Sequence, residues 1–355
     1  MAKELILEIG TEEIPAGFIE WAIKDLTEIA AKKLESASLK FENISAYGTP
    51  RRLTLRVTAL AEKQEDVTQE IYGPPVKIAF DENGNYTKPA EGFAKSQGVD
   101  VKELKTVTRD RGDFLAVVKQ SKGLKTERLL KKLLPDIMLS IQFRKSMKWG
   151  SGEINFARPI RWILALYGGK TVSFELDGLK SGNKSRGHRF MSPKPFKATG
   201  WGDYTEGLNT GYVVLDQDSR KSEIDRGVKE LASKLGGSIE EDADLLETVT
   251  NLVEYPVVLK GNFEEEFLDL PKEVLISVMK SHQKYFHVVS RNDPSMLLPY
   301  FIFVCGTPVN DTEVVSRGNE RVIRARFSDA RFFYDEDRRG SLEDKVENLK
   351  GTVFL

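Results

Sequence analysis

The stretch that leaves this chain least choice runs over residues 317–339, RGNERVIRARFSDARFFYDEDRR. After Gly318 it contains neither glycine nor proline, so nothing in it ends a helix. Seven arginines and five acidic residues fill it. At about 100° per residue, Arg317, Arg321, Arg324, Arg331 and Arg338 fall within a sector of roughly 100°. Glu320 stands four before Arg324, and Arg331 four before Asp335, so part of that stripe can pair within the helix. Val322, Ile323, Phe327, Phe332, Phe333 and Tyr334 cover much of the remaining circumference. A helix apolar around so much of its surface is expected to pack on two sides, as a wedge with an arginine edge left for a partner. The plainer alternative is a well-paired structural helix.

Such a wedge needs substantial neighbours, and 355 residues suggest two or three domains or subdomains. With 40% hydrophobic and 30% charged residues the composition is that of a soluble globular protein. The opening apolar run, LILEIG, is broken at Glu8 and too short for a signal-peptide core. No run approaches the roughly 18 apolar residues of a membrane span. The single cysteine, Cys305, leaves no intrachain disulfide and no cysteine-rich metal site, and a cytoplasmic protein is expected. A net charge of −1 argues against indiscriminate binding to DNA or other nucleic acid. Its distribution is uneven. Residues 144–197 carry twelve Lys/Arg against Glu153, Glu175 and Asp177, whereas residues 235–270 carry ten Asp/Glu against Lys260. Such asymmetry implies either a polyanion-binding face or two lobes that attract each other.

Periodicity predicts a strand over 4–9, a helix over 18–34, and strands over 41–47 and 53–59 joined by Gly48-Thr49-Pro50-Arg51-Arg52. That is β-α-β-β, half of a ferredoxin-like sandwich. A phosphate could sit at the Thr49-Arg51-Arg52 turn, or the turn could simply be solvated. Further on, a hairpin is expected over 104–119, and an amphipathic helix over 126–143 that Pro135 should kink or divide. A strand over 171–176 leads to a basic, glycine-rich loop, SGNKSRGHRFM, at 181–191. Helices over 219–235 and 242–252, a strand over 255–259, a helix starting at Pro271 and strands over 285–289 and 300–304 follow. The fold class is α+β. Its expected parts are a β-α-β-β unit at 1–66, a central α+β module at 67–312, and the arginine-rich helix at 313–355.

Catalytic frames are mostly missing. Gly178 stands one residue too near Gly182-Asn183-Lys184-Ser185 for a phosphate-binding P-loop. His282 and His287 lie five apart without a nearby ligand set, so no metal is assigned. Phe143-Arg144 lacks the acidic residue of a class II synthetase site, and Lys145-Ser146-Met147-Lys148 has no class I partner motif. On its own residues the chain reads as a recognition part rather than a catalyst, with no catalytic residue assigned.

Four stretches together resemble one family, the β subunit of bacterial glycyl-tRNA synthetase. They are Leu7-Glu8-Ile9-Gly10-Thr11-Glu12-Glu13-Ile14-Pro15; Met147-Lys148-Trp149-Gly150 with Phe156-Ala157-Arg158-Pro159-Ile160-Arg161-Trp162; Gly187-His188-Arg189-Phe190; and residues 270–286 followed by the arginine helix. The resemblance implies a heterotetramer of two α and two β subunits that joins glycine to its tRNA. ATP and Mg²⁺ would be used by the partner α subunit, with no cofactor in this chain. The β subunit would supply tRNA recognition and assembly. The middle of the chain also resembles the editing-type domain of the phenylalanyl-tRNA synthetase β subunit. Family members continue into helical HD-like and anticodon-binding domains, so an N-terminal piece is expected.

On that basis Arg158, Arg161, Lys184, Arg186, His188 and Arg189 are candidates for a tRNA-facing or pocket-facing surface. The alternative is that Arg158 and Arg161 pair with the acidic 235–270 stretch. His282, Gln283, Lys284 and Tyr285 could line an editing-like pocket or form a packed helix end. Arg317, Arg321, Arg324 and Arg331 could meet tRNA, the α subunit or a further domain, the last being favoured. Two other readings stay open: a free-standing interaction module without RNA binding, and an aminoacyl-tRNA deacylase.

Overall fold

The computed structural model describes residues 2–81, 84–109, 112–308 and 310–350. Strand β1 (Lys3–Thr11) is buried continuously from Leu5 to Thr11, the pattern of a central strand covered on both faces. Helix α1 (Ala16–Ser36) lays Ile19, Ala22, Leu26, Ala30 and Leu34 on one side at helical spacing. Each buried Ile or Leu there contributes about 1.5–3 kcal/mol. Strands β2 (Asn43–Thr49) and β3 (Arg52–Leu60) form an antiparallel hairpin, and β3 pairs with β1.

The chain then makes an excursion. Strand β4 (Val67–Pro75), helices α2 (Val76–Ala79) and α3 (Lys88–Gln97), and strands β5 (Lys105–Arg109) and β6 (Gly112–Ser121) build a small sheet ordered β4-β6-β5. Its own core contains Ala79, Ala90, Ala94, Leu115 and Val117. Helix α4 (Thr126–Ser140) and strand β7 (Ile160–Tyr167) bring the chain back, and β7 pairs antiparallel with the free edge of β1. With β8 (Lys170–Thr171) the sheet order is β2-β3-β1-β7-β8. Helices α1 and α4 share one core on one face of it. The β-α-β-β half therefore becomes a full β-α-β-β-α-β sandwich, with residues 61–125 spliced between its third strand and second helix. Pro135 does not divide α4, which is continuous to Ser140. Its ring removes the bond to the Lys131 carbonyl, and because Lys131 is exposed that carbonyl is open to solvation.

The opposite face of this sheet is covered next. Strands β9 (Glu175–Leu176) and β10 (Leu179–Lys180) form one short hairpin, β11 (Lys184–Arg186) and β12 (Pro195–Lys197) another. Helix α5 (Trp201–Thr210) follows, and its Tyr204 and Leu208 pack against Ile6, Leu164 and Leu166. The remaining chain forms a second layer system. Helix α6 (Gln217–Lys234), strand β13 (Gly237–Ser238), helix α7 (Ala243–Thr250) and strand β14 (Val257–Asn262) precede helix α8 (Lys272–Ser277). A π-helical turn over Val278–Gln283 runs on from α8 into β15 (Phe286–Ser290), β16 (Leu297–Cys305), α9 (Thr312–Arg338) and α10 (Leu342–Leu349).

This second sheet, ordered β13-β15-β16-β14, is antiparallel and follows the strand period of two. Phe286, Val288 and Ile302 face the helices α6 and α7, while Val289, Phe301 and Phe303 share the core of α8 and α9. Helix α9 buries Ile323 and Phe327 against Phe263 and Phe267. Its other side carries Phe332 and Phe333, 60% and 64% exposed. The pairs expected within α9 are replaced by pairs across elements: Arg324 meets Glu264, Arg331 meets Glu266 (3.6 Å), and Glu320 accepts the Asn262 N–H. The acidic 235–270 stretch supplies those partners because β14 and the turn after it run beneath the helix. The architecture is α+β. Among the described residues no helix is long and apolar enough to cross a membrane.

Candidate functional site

Glu8 interrupts an apolar strand that is buried on both faces, so its carboxylate requires a partner inside the protein. In the β1–β3 register Arg52 lies opposite Gly10 and Thr54 opposite Glu8, which puts the Arg52 and Glu8 side chains on one face. Both are fully buried, with Arg52 Nη1 donating to Glu8 Oε1 at 2.9 Å. Arg52 Nε donates to Glu254 Oε1 at 3.1 Å, and the Thr49 hydroxyl donates to the same oxygen at 2.6 Å. The Ser185 hydroxyl donates to Glu8 Oε1 at 2.9 Å, and Arg52 Nη1 also reaches the Arg186 carbonyl at 2.8 Å. One guanidinium thus joins the first sheet, strand β11 and the segment between α7 and β14.

One positive charge cannot neutralise two buried carboxylates. Burial wins at Glu8 and pushes its carboxyl up, against Arg52 and the Ser185 hydroxyl. At Glu254 burial acts in the same sense, but Arg52 and the Thr49 hydroxyl overcome it and the net shift is down. Of the two, Glu254 is the carboxylate whose charged form its partners favour. A second buried cation, Arg220 on α6, donates to the carbonyls of Thr250, Val214, Leu215 and Gly48. Burial lowers its pKa to about 10, with Glu254 acting the other way.

Above this network opens a cavity of about 250 Å³ lined by Glu12, Arg51, Arg161, Trp162, Arg186, Gly187, Arg189 and Pro193. Its floor is the Trp162 indole, which lies on Gly10. A Cβ at Gly10 would come within 1.9 Å of the ring, so only glycine leaves room. The guanidinium groups of Arg51, Arg52 and Arg186 each lie 5.7 Å from the Trp162 ring centre. Glu12 is the one acid in the lining. It pairs with Arg161 at 3.3 Å and Arg189 at 3.7 Å, and Glu13 meets Arg189 from the rim at 3.6 Å. Arg161, Arg186 and Arg189 are exposed, and Arg51 is half-buried. Burial, with Arg52 and Arg189 acting in the same sense, leaves Arg51 below the ordinary guanidinium value against the opposing pull of Glu254 and, less, Glu12.

The structure brings Arg161, Arg186 and Arg189 together at one opening. Lys184 is exposed two residues before Arg186 on β11 and is not among the lining residues. Arg158 is half-buried and donates to the Ala157 carbonyl at 2.9 Å. The partner of Arg161 is Glu12, not the acidic 235–270 stretch considered for it from sequence. His188 is buried beneath the loop, its Nδ1 accepting the N–H groups of Phe190 and Met191 at 3.3 Å. Burial depresses its pKa, which Glu254 only partly opposes. Gly187 packs on Gly211, where a Cβ would meet the Gly211 carbonyl at 2.7 Å. Phe190 projects from the rim, 73% exposed, with the Arg189 guanidinium 5.8 Å from its ring.

The second cluster is arranged differently. His282 is exposed at the end of the π-helical turn, Gln283 and Lys284 are half-buried, and Lys284 takes a left-handed backbone at φ 60°. Tyr285 points inward, stacked on Phe301 at 4.8 Å and hydrogen-bonded to Asn319. On α9, Arg317 and Arg321 are exposed, while Arg324 and Arg331 bind Glu264 and Glu266. Sequence reasoning missed Glu8, Glu12, Trp162, Arg220 and Glu254 as site residues, and left Arg51 and Arg52 at a turn. The readable signal was Glu8, a charge in the middle of an apolar strand.

Sequence comparison places this α+β chain with its arginine-lined opening among components of aminoacyl-tRNA synthetases. The chain belongs to the glycyl-tRNA synthetase beta subunit family, whose model matches residues 5–355. It is 47% identical over 354 residues to the glycine–tRNA ligase beta subunit of Syntrophus aciditrophicus, an alignment covering 100% of this chain and 51% of the relative. The corresponding subunits of Trichlorobacter lovleyi and Moorella thermoacetica are 49% and 46% identical over 354 residues, again across 100% of this chain and 51% of theirs. The chain spans about half the length of these curated relatives. Three of the stretches that carry the family likeness, around Glu12, Trp162 and Arg189, meet at the cavity.

Proposed function

We propose that this chain acts as the N-terminal portion of the beta subunit of a glycine–tRNA ligase, contributing tRNA recognition and subunit assembly. The observation that carries this reading is the family match over residues 5–355. The arginine-lined opening supports the tRNA side of it, because RNA is held largely through its phosphates. The exposed Phe332 and Phe333 on α9, beside Arg317 and Arg321, support the assembly side. Activation of glycine with ATP and Mg²⁺ is assigned to an alpha subunit. Residues 67–312 are read as the central recognition module, which Glu12 and Arg51 of the first unit join at the opening, with an editing-type likeness that a deacylation assay on mischarged tRNA would reveal. The arginine-rich helix from 313 onward is read as an interface for a further helical domain or a subunit.

Two binding measurements test the proposal: gel shift of glycine tRNA by the purified chain, and capture of the alpha subunit on the immobilised chain. Binding of both is expected. A chain that captures the alpha subunit and ignores tRNA at low salt is an interaction module instead, and one that binds neither overturns the reading.

A further inference from the structure

We propose that the cavity formed by Arg51, Arg161, Arg186 and Arg189 is a nucleotide-unit site, which holds an RNA phosphate while the adjoining unstacked base lies on Phe190, and that Glu12 occupies it until the phosphate arrives. The inference rests on the tRNA-recognition reading above and assigns that reading a location.

Charge is the first argument. Four guanidinium groups line a cavity of about 250 Å³ and meet one lining carboxylate, Glu12. Glu13 reaches only Arg189 and only from the rim. Like charges held this close repel, so the arrangement gains when a further anion enters. Hydrogen bonding is the second. Arg51 Nε is buried without a hydrogen-bond partner among the described residues, although Arg51 lines the cavity. A buried donor without an acceptor is costly, and a tetrahedral oxyanion supplies several acceptors at once.

Construction is the third argument. The arginines are not loose surface side chains. Arg186 is fixed through its carbonyl to the fully buried Arg52, Arg51 precedes that same residue, and both lie over the Trp162 ring. Glu12 is anchored by its N–H to the Pro159 carbonyl. Its side chain, at 3.3 Å and 3.7 Å from Arg161 and Arg189, makes the contacts a phosphate oxygen would make. A phosphodiester carries the same single charge over two free oxygens as the Glu12 carboxylate, so it can take over the bonds to Arg161 and Arg189 while Glu12 swings out to solvent.

The fourth argument concerns the class of ligand. Phe190 is 73% exposed at the mouth, yet its backbone is tied down by His188 Nδ1. A fixed aromatic face beside a basic cavity roomy enough for a phosphate matches the way unstacked RNA is held, with the base on the ring and the phosphate on arginine. A duplex offers no free base face to Phe190, so the predicted target is a single-stranded segment or an end.

The test is fluorescence-anisotropy titration of labelled glycine tRNA with the purified chain at several salt concentrations, and with 5′-AMP as a separate probe. Arg186→Ala combined with Arg189→Ala is expected to weaken tRNA binding about tenfold or more and to reduce the salt slope by about one for each phosphate no longer neutralised. Phe190→Leu is expected to weaken it about fivefold with the salt slope unchanged. Glu12→Gln is expected to strengthen it about threefold, a gain that a merely structural Glu12 would not give. All four positions are compared at matched folding, checked by circular dichroism. If the wild-type chain binds tRNA and these variants bind it equally well, the cavity assignment is overturned and tRNA recognition stands. If the wild-type chain binds no tRNA, both fall. If only 5′-AMP binding responds to the variants, the site is a mononucleotide site and the RNA assignment is overturned.

Discussion

Arg52 shows how much one side chain decides here. It is fully buried, it serves Glu8 and Glu254, and it fixes the backbone of Arg186. Breaking a buried pair from one side leaves an uncompensated charge in a medium that solvates it poorly. Glu254→Gln leaves Arg52 its bond to Glu8 but loses the charge-assisted bonds from Arg52 Nε and the Thr49 hydroxyl, so it is expected to destabilise the chain at pH 7 by about 1.5–3 kcal/mol, measured by urea unfolding. The sign of the pH effect follows from the lowered Glu254 carboxyl. Its contribution is complete above the ordinary value of 4.5 and is lost as pH falls through the folded-state value. Glu8, whose carboxyl is raised, acts in the opposite sense and gives stability that fades as pH rises through its folded value. The variant should accordingly show a flatter fall in stability below pH 4.5 than the wild type. A variant profile that falls as steeply below pH 4.5 as the wild type would mean that Glu254 does not titrate as its surroundings require.

At the scale of elements, α9 has two unlike sides. Phe327 is fully buried between Phe263 and Phe267, with ring centroids 5.0 Å and 5.4 Å away. Phe332 and Phe333 face outward and touch each other. Truncating the first removes packed core, whereas truncating the others removes surface that nothing among the described residues covers. Phe327→Ala should cost about 3–5 kcal/mol, and Phe332→Ala about 0.5 kcal/mol or less. Thermal unfolding of the two variants checks this, and equal losses would show that the helix is bound on both sides within this chain. The wedge expected from the 317–339 pattern is thus seen from one side here. The pattern gives how many faces are apolar but not which neighbour meets each.

For the whole molecule, the proposed division of labour puts recognition in this chain and bond formation elsewhere. The basic cavity has arginines and a tryptophan in its lining, with Glu12 already paired to two of the arginines. Such a lining suits anions and offers no free pair of carboxylates for Mg²⁺. The purified chain is expected to give no glycine-dependent pyrophosphate exchange, while addition of an alpha subunit restores it. Exchange by this chain alone would place an active site in it.

Legibility from sequence followed distance along the chain. Strands β1 to β3 and helix α1 were readable because alternation and helical spacing are local, and Ile19, Ala22, Leu26, Ala30 and Leu34 declare their shared face directly. The same local pattern offered half of the sandwich and could not offer its completion. The strand that pairs with β1 begins at Ile160, beyond an excursion of about sixty residues, and nothing in an apolar run names its partner. Among the basic residues, Arg161, Arg186 and Arg189 stood out by composition, but their convergence with Arg51 required two sheets to meet. What the amino-acid order determined alone was the strongly periodic elements such as β1 to β3 and α1, the α+β class and the family. Only tertiary structure decided which charges are buried, because Arg52 and Glu254 lie 202 positions apart and a charged residue looks the same in a string whether water or Glu8 faces it.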